Sequence, residues 1–276
     1  MSRNELCYCG SGKKRKKCHK EVHNNSYIEI LSNLYEAIEN EKTYNSRDKE
    51  HPCKNGCFNC CYDAFIISML EFEYILYDLR KNHKEIIEDV FHAALEGEKL
   101  LKEQDPELLN YFVKDATGLD ARMESREANQ KMINKRTLPF VCPLLDKEKG
   151  KCMVYDNRPF ICRMRGNTHT YRHTVHDTKI CDHILSSKQN AKNTPFIHEG
   201  YFDRVELLNL GKYGNQYLSF RRFPIFFWFC IYKQKNERRG KEMYESLLPD
   251  YFIKPEGTIS FTDVVPHEVK KTKELK

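Results

Sequence analysis

Apolar residues in the first half of the chain fall at helical spacing. Tyr27, Ile30, Leu31, Leu34, Tyr35 and Ile38 recur every three or four positions. Ser26-x-x-Glu29 just before them reads as a capping box, so a helix is expected here. Residues 45–56 are polar and hold Pro52, which marks a linker. Ser68-x-x-Glu71 is a second capping box, followed by the apolar face Phe72, Ile75, Leu76 and Leu79. A third helix is expected over 85–104, with Ile86, Ile87, Val90, Ala94 and Leu101 inward. Asp105-Pro106-Glu107 looks like a fresh helix start, since proline is accommodated in a first turn. The helical pattern then runs on towards Lys135.

From Thr137 to Ser187 the periodicity fades, and turn residues and cysteines take over. Such a stretch cannot pack a conventional core by itself, and metal ligation would supply the missing organisation. Beyond it the pattern returns to helical and aromatic, with Phe226, Phe227, Trp228, Phe229 and Cys230 read as core residues. The chain ends in a charged tail, Lys270 to Lys276.

Composition adds two constraints. Of the 276 residues, 40% are hydrophobic and 31% charged, which is polar for a globular chain, but 16 Phe and 16 Tyr supply core material. The apolar stretch from Phe223 to Tyr232 is too short to span a bilayer, which needs about 20 residues. Met1 to Leu6 has no signal-peptide apolar region. A cytoplasmic protein with no membrane partner is expected. The net charge of +6 resides in residues 1–20, where seven Lys or Arg face one acid, and the rest of the chain balances to neutrality. Electrostatic attraction to an acidic partner is therefore sought in that segment.

Twelve cysteines in a chain of this kind need a reason. A reducing compartment disfavours disulfides, and the adjacent Cys60 and Cys61 would make a strained one, whereas neighbouring thiolates can serve metals. The first set is Cys7-x-Cys9 followed by Cys18-His19, the pattern of a four-ligand tetrahedral zinc site. Gly10 and Gly12 let the chain fold back between the two ligand pairs. The second set is Cys53-x3-Cys57-x2-Cys60-Cys61, then Cys142, Cys152 and Cys162 at equal spacing, then Cys181. Eight thiolates suit two four-thiolate sites, one multi-metal centre, or a cysteine-ligated iron–sulfur cluster with ligands to spare. Thiolates select zinc or iron–sulfur and exclude magnesium and calcium. Arg158 and Arg163 are candidates either to donate to thiolates or to pair with acids. His169, His173, His176 and His183 lie beside these cysteines and are read either as further ligands or as an exposed polar loop.

Two resemblances bear on these sets. The segment Asn4-x-x-Cys7-x-Cys9-Gly-Ser-Gly-Lys-Lys-x-Lys-x-Cys18-His19 resembles the SEC-C motif of the preprotein translocase ATPase and many bacterial proteins. That resemblance implies zinc on Cys7, Cys9, Cys18 and His19 and docking on a protein partner, such as a chaperone or the ribosome. Arg15 stands where that family often has an aromatic residue.

The pattern C-x3-C-x2-C-C, then Cys142-Pro143-x-Leu145, Cys152-x-Val154-Tyr155, Arg158-Pro159-x-x-Cys162-Arg163 and Cys181 resembles the YkgJ-type cysteine-cluster family. It implies zinc or iron chelation by the eight cysteines. Flagellin lysine methylases have a similar cluster, which implies an enzymatic alternative. The chain has no G-x-G-x-x-G loop, however, and Gly211-Lys-Tyr-Gly214 follows no strand signal.

The expected fold is mainly α with irregular, metal-stabilised loops. A zinc knuckle is expected over 1–22, a linker helix over 23–50, a cysteine-cluster domain over 51–190 with a helical insertion over 64–135, and an α-rich segment over 191–276. Metal binding with a structural, metal-handling or docking role is the favoured function. A protein lysine methyltransferase is the alternative, and nucleic-acid binding through the basic knuckle is a third and less favoured reading.

Overall fold

Where the apolar spacing predicts helices, helices form. The computed structural model describes residues 7, 12–18, 20–23, 26–45, 56–117, 137–164, 201, 204–205, 212–213, 216–217 and 222–247, which are mainly helical. In chain order the elements are α1 (Arg15–Cys18), α2 (Tyr27–Asn45), β1 (Ile66–Ser68), α3 (Met69–Asn82), α4 (Ile87–Gln104) and α5 (Pro106–Thr117). There follow β2 (Leu145–Asp146), β3 (Lys151–Cys152), α6 (Phe160–Met164), β4 (Lys212–Tyr213), β5 (Gln216–Tyr217), β6 (Arg222–Pro224) and α7 (Ile225–Glu237). The expected helical pattern over 118–135 lies outside the described residues.

The chain divides into two units. One comprises residues 1–52, 163–219 and 248–276, the other 53–162 and 220–247. In the first unit, α2 buries Tyr27, Ile30, Leu31, Leu34, Tyr35 and Ile38, the residues whose spacing predicts the helix. The capping box expected at its start is not formed. Ser26 is fully buried and its Oγ makes no hydrogen bond, so it does not serve the Glu29 amide. Arg163 is also buried; its guanidinium pairs with Glu39 at 2.8 Å and lies over the Tyr35 ring at 4.3 Å. Of the two readings for Arg163, this geometry matches acid pairing, with a half-buried rather than a surface acid. β4 and β5 form a short antiparallel pair in the same unit.

The second unit is built around α7. The first part of α7 is apolar on every side and must be enclosed: Ile225 to Cys230 and Tyr232 are buried, and Ile231 is half-buried. Phe229 meets Phe72 of α3 at 4.8 Å and Phe91 of α4 at 4.9 Å, both edge-on. Phe226 takes Phe112 of α5 and Phe140, the latter at 5.0 Å. Such edge-to-face pairs contribute about 0.5–1.5 kcal/mol each beyond the burial of the rings. Residues 220–247, which the sequence division places in a C-terminal segment, thus complete the core of the unit that holds most of the cysteines.

The N-terminus of α3 is fixed twice. β1 pairs antiparallel with β6, Ile67 opposite Phe223, and the Trp228 indole N–H donates to the Ile67 carbonyl at 2.9 Å. The Ser68 capping box is complete: the Glu71 amide donates to Ser68 Oγ, and the Glu71 carboxylate accepts from the Ser68 amide. α4 starts with a short 3-10 turn, and Asp105 caps α5 by accepting from the Leu108 amide at 3.1 Å.

Candidate metal centre

Four short segments of the second unit bring cysteines together. Cys60 and Cys61 sit in a single 3-10 turn, Asn59–Tyr62, closed by the Cys61 amide donating to Phe58 O at 2.8 Å. This turn pairs with the chain before Cys142. The Leu138 amide donates to Tyr62 O at 2.7 Å, the Cys142 amide donates to Cys61 O at 2.8 Å, and Asp63 bridges Thr137. Two cysteines distant in sequence are thereby joined through one backbone hydrogen bond.

Cys142 and Cys152 flank the β2–β3 hairpin. The Leu145 amide donates to Cys142 O, Leu145 pairs with Cys152, and the Met153 amide returns to Leu144 O at 2.9 Å. Its turn is shaped by Asp146, whose carboxylate accepts the Glu148 and Lys149 amides at 3.1 and 3.0 Å. Gly150 has φ of +59°, and a Cβ there would stand 3.1 Å from Gly56 Cα. This close approach brings the Gly56-Cys57 strip against the turn that leads to Cys152. Cys162 occupies the single-turn helix α6, whose Phe160 amide donates to Glu71 Oε1 at 2.8 Å.

The thiols in this frame oppose one another's ionisation. A hydrogen bond with Cys60 and burial push the Cys61 thiol up, and the charges of Cys142, Cys60 and Cys162 add to this. Burial, then the charges of Cys152 and Cys60, push Cys142 up to about 12. Burial raises Cys162 well above its usual range, with Cys142, Cys152 and Cys60 adding and the Arg158 charge opposing. Pairwise charge effects thus link Cys142 with Cys60, Cys61, Cys152 and Cys162, and Cys162 with Cys60, Cys61, Cys142 and Cys152. Thiolates gathered in partly buried space repel, and a bound cation reverses that logic by holding the thiols deprotonated. The donor chemistry fits a thiophilic metal. Among the described residues, no three His, Cys, Asp or Glu side chains form a group that could hold a metal ion.

Arg158 serves this frame in three ways. Its Nε donates to Tyr155 O at 2.9 Å, its guanidinium lies 3.5 Å from the Tyr155 ring centroid, and its charge eases the ionisation of Cys162. The nine described cysteines are thiols rather than disulfides. Cys53 and Cys181, with His169, His173, His176 and His183, lie outside the described residues. Cys230 is remote from the frame in character. It is buried in α7, with Sγ 3.3 Å from Phe226 O and 3.8 Å from Ala94 O, and burial raises its pKa well above the usual thiol range.

In the N-terminal segment, Cys7 is buried and its amide donates to Lys13 O at 2.8 Å. Gly12 takes φ of +70°, the left-handed turn its position requires. The chain thus folds back from Cys7 towards α1, which ends on Cys18. Cys9 and His19 lie outside the described residues.

Two residues in this geometry escape sequence reasoning. Gly97 of α4 faces the Phe140 ring so closely that a Cβ would stand 2.7 Å from it, which sets the chain just ahead of Cys142. Glu71 was legible as a capping residue, but its bond to Phe160 joins positions far apart in sequence and leaves no local signal.

Residues 52–182 match the family CxxCxxCC, described as "Putative zinc- or iron-chelating domain". Residues 3–21 match the SEC-C motif. Between them, the two matches cover both sets of cysteines that the sequence singles out. No curated protein and no solved structure matches it. No helix of the described residues is long and apolar enough to cross a membrane.

Proposed function

We propose that this protein binds metal at two separate cysteine sites and uses the smaller one to dock on a partner. In the larger site, Cys60, Cys61, Cys142, Cys152 and Cys162 supply the central thiolates, with Cys53, Cys57 and Cys181 completing the set. The metal there is zinc or an iron–sulfur cluster, the species that cysteine-only donor sets hold. The single observation that supports this most is geometric: the Cys142 amide donates to Cys61 O at 2.8 Å, which brings cysteines from distant stretches of chain together. The role of this site is structural or metal-handling, because ligation organises a stretch of chain poor in apolar packing.

In the smaller site, Cys7, Cys9, Cys18 and His19 hold one zinc. Lys13, Lys14, Lys16, Lys17 and Lys20 are exposed around it. That basic surface suits an acidic face of a protein partner in the cytoplasm, of the chaperone or ribosome-associated kind. Its charge alone also attracts nucleic acid, a reading that would show as strongly salt-dependent binding.

The test is elemental analysis together with an absorption spectrum of the full chain purified without oxygen. Zinc in at least one equivalent is expected, with either further zinc and no visible colour, or iron with visible sulfur-to-iron absorption. A chain that holds neither zinc nor iron above trace level overturns the reading.

A further inference from the structure

We infer that Glu71 is a positioning residue of the larger cysteine site, holding the turn that presents Cys162. This rests on the metal reading of Cys162 given above. Glu71 is buried at 5% exposure, and its two carboxylate oxygens have different tasks. Oε2 accepts from the Ser68 amide at 3.1 Å and the Ser68 hydroxyl at 3.2 Å, which is the capping role at the start of α3. Oε1 accepts from the Phe160 amide at 2.8 Å, a bond that capping does not need.

The recipient explains why this matters. α6 spans only Phe160–Met164, about one turn, and helices so short do not persist without outside support. The first amides of any helix lack partners within it. Phe160 is buried, so water cannot serve its amide freely, and Pro159 before it has no N–H to offer. Glu71 is thus the charged acceptor that fixes the start of α6, and Cys162 follows two residues later. Because Ser68 lies at the end of β1, paired to β6, the carboxylate links the turn holding Cys162 to the β1–β6 pair.

The experiment compares full-length chains loaded with zinc, following metal release to a chromogenic chelator. Release from Glu71→Ala is expected about tenfold faster than from wild type, in the range that supporting hydrogen bonds around metal ligands command. Ser68→Ala removes the same cap but leaves the Phe160 bond, and is expected to release zinc within about twofold of wild type. Glu71→Gln retains an oxygen for the Phe160 amide and is expected to restore slow release. Should Glu71→Ala not fold, Glu71→Asp takes its place, keeping the charge while falling short of Phe160. A second readout is amide hydrogen exchange at Phe160, expected to be protected in wild type and Ser68→Ala and unprotected in Glu71→Ala. Equal release from the Glu71→Ala (or Glu71→Asp) and Ser68→Ala chains overturns the inference while leaving the metal reading intact. A wild-type chain that holds neither zinc nor iron overturns both.

Discussion

The second unit contains two regions that solve the folding problem differently. Around α7, the chain is held by side chains: Phe226, Phe227, Trp228 and Phe229 interlock with Phe72, Phe91, Phe112 and Phe140. Around the cysteines, regular structure shrinks to two-residue strands and single turns, and the chain is held by backbone hydrogen bonds such as Cys142 to Cys61 and Leu138 to Tyr62. The contrast extends to the cysteines themselves. Cys230 is buried among rings as a small apolar side chain, whereas Cys61, Cys142 and Cys162 are raised in pKa partly by one another. A thiol that serves as packing needs only burial; thiols that serve as ligands must be brought near each other at an electrostatic cost that a cation removes.

The comparison can be broken most strongly in the aromatic region. Phe229→Ala is expected to destabilise the unit by about 3–5 kcal/mol, because the ring is fully buried between α3 and α4. Metal content of the chain that remains folded should be unchanged. Thermal melting with metal analysis checks both halves, and metal loss in folded Phe229→Ala would merge the two regions into one.

A smaller effect is expected where the regions meet. Gly97→Ala drives a methyl into the Phe140 ring, and overpacking of this kind costs about 1–3 kcal/mol. Since Phe140 lies two residues before Cys142, metal affinity should fall together with stability. A melt that shifts with no change in zinc release would show that Phe140 does not transmit to the site.

The mildest effect concerns pH. Burial pushes the Glu73 carboxyl above its usual range, against the hydroxyls of Tyr232 and Ser246, the Arg80 charge and the Leu247 amide. The folded chain therefore binds this proton more tightly than the unfolded chain does. Its contribution is fully present below the ordinary glutamate pKa and is lost as pH rises through the raised folded value. Glu73→Gln is expected to flatten the decline in stability above the ordinary glutamate range. Denaturant melts at a series of pH values measure this, and an unchanged slope would show that Glu73 stays ionised in the fold.

Much of this architecture was legible in the sequence, for identifiable reasons. Local signals held where local physics decides the outcome: the Ser68 capping box, the proline-initiated α5, and the apolar faces of α3 and α4. The cysteine motifs pointed to the two families whose models match residues 3–21 and 52–182. What spacing does not encode is orientation and distance. Ser26 has the right neighbour for a capping box yet turns its hydroxyl inward without a partner. The β1–β6 pairing, the Arg163–Glu39 bridge and the Glu71–Phe160 bond each join residues from distant stretches, so none leaves a periodic trace.

The central claim is that Cys60, Cys61, Cys142, Cys152 and Cys162 act as one metal centre, distinct from the packed Cys230. Metal-to-protein stoichiometry of full-length Cys61→Ser, Cys162→Ser and Cys230→Ser tests it most directly. The expected result is that Cys61→Ser and Cys162→Ser each lose the metal of the larger site, because each removes a ligand from the same centre, while Cys230→Ser keeps full occupancy. Full occupancy in both Cys61→Ser and Cys162→Ser would contradict the account.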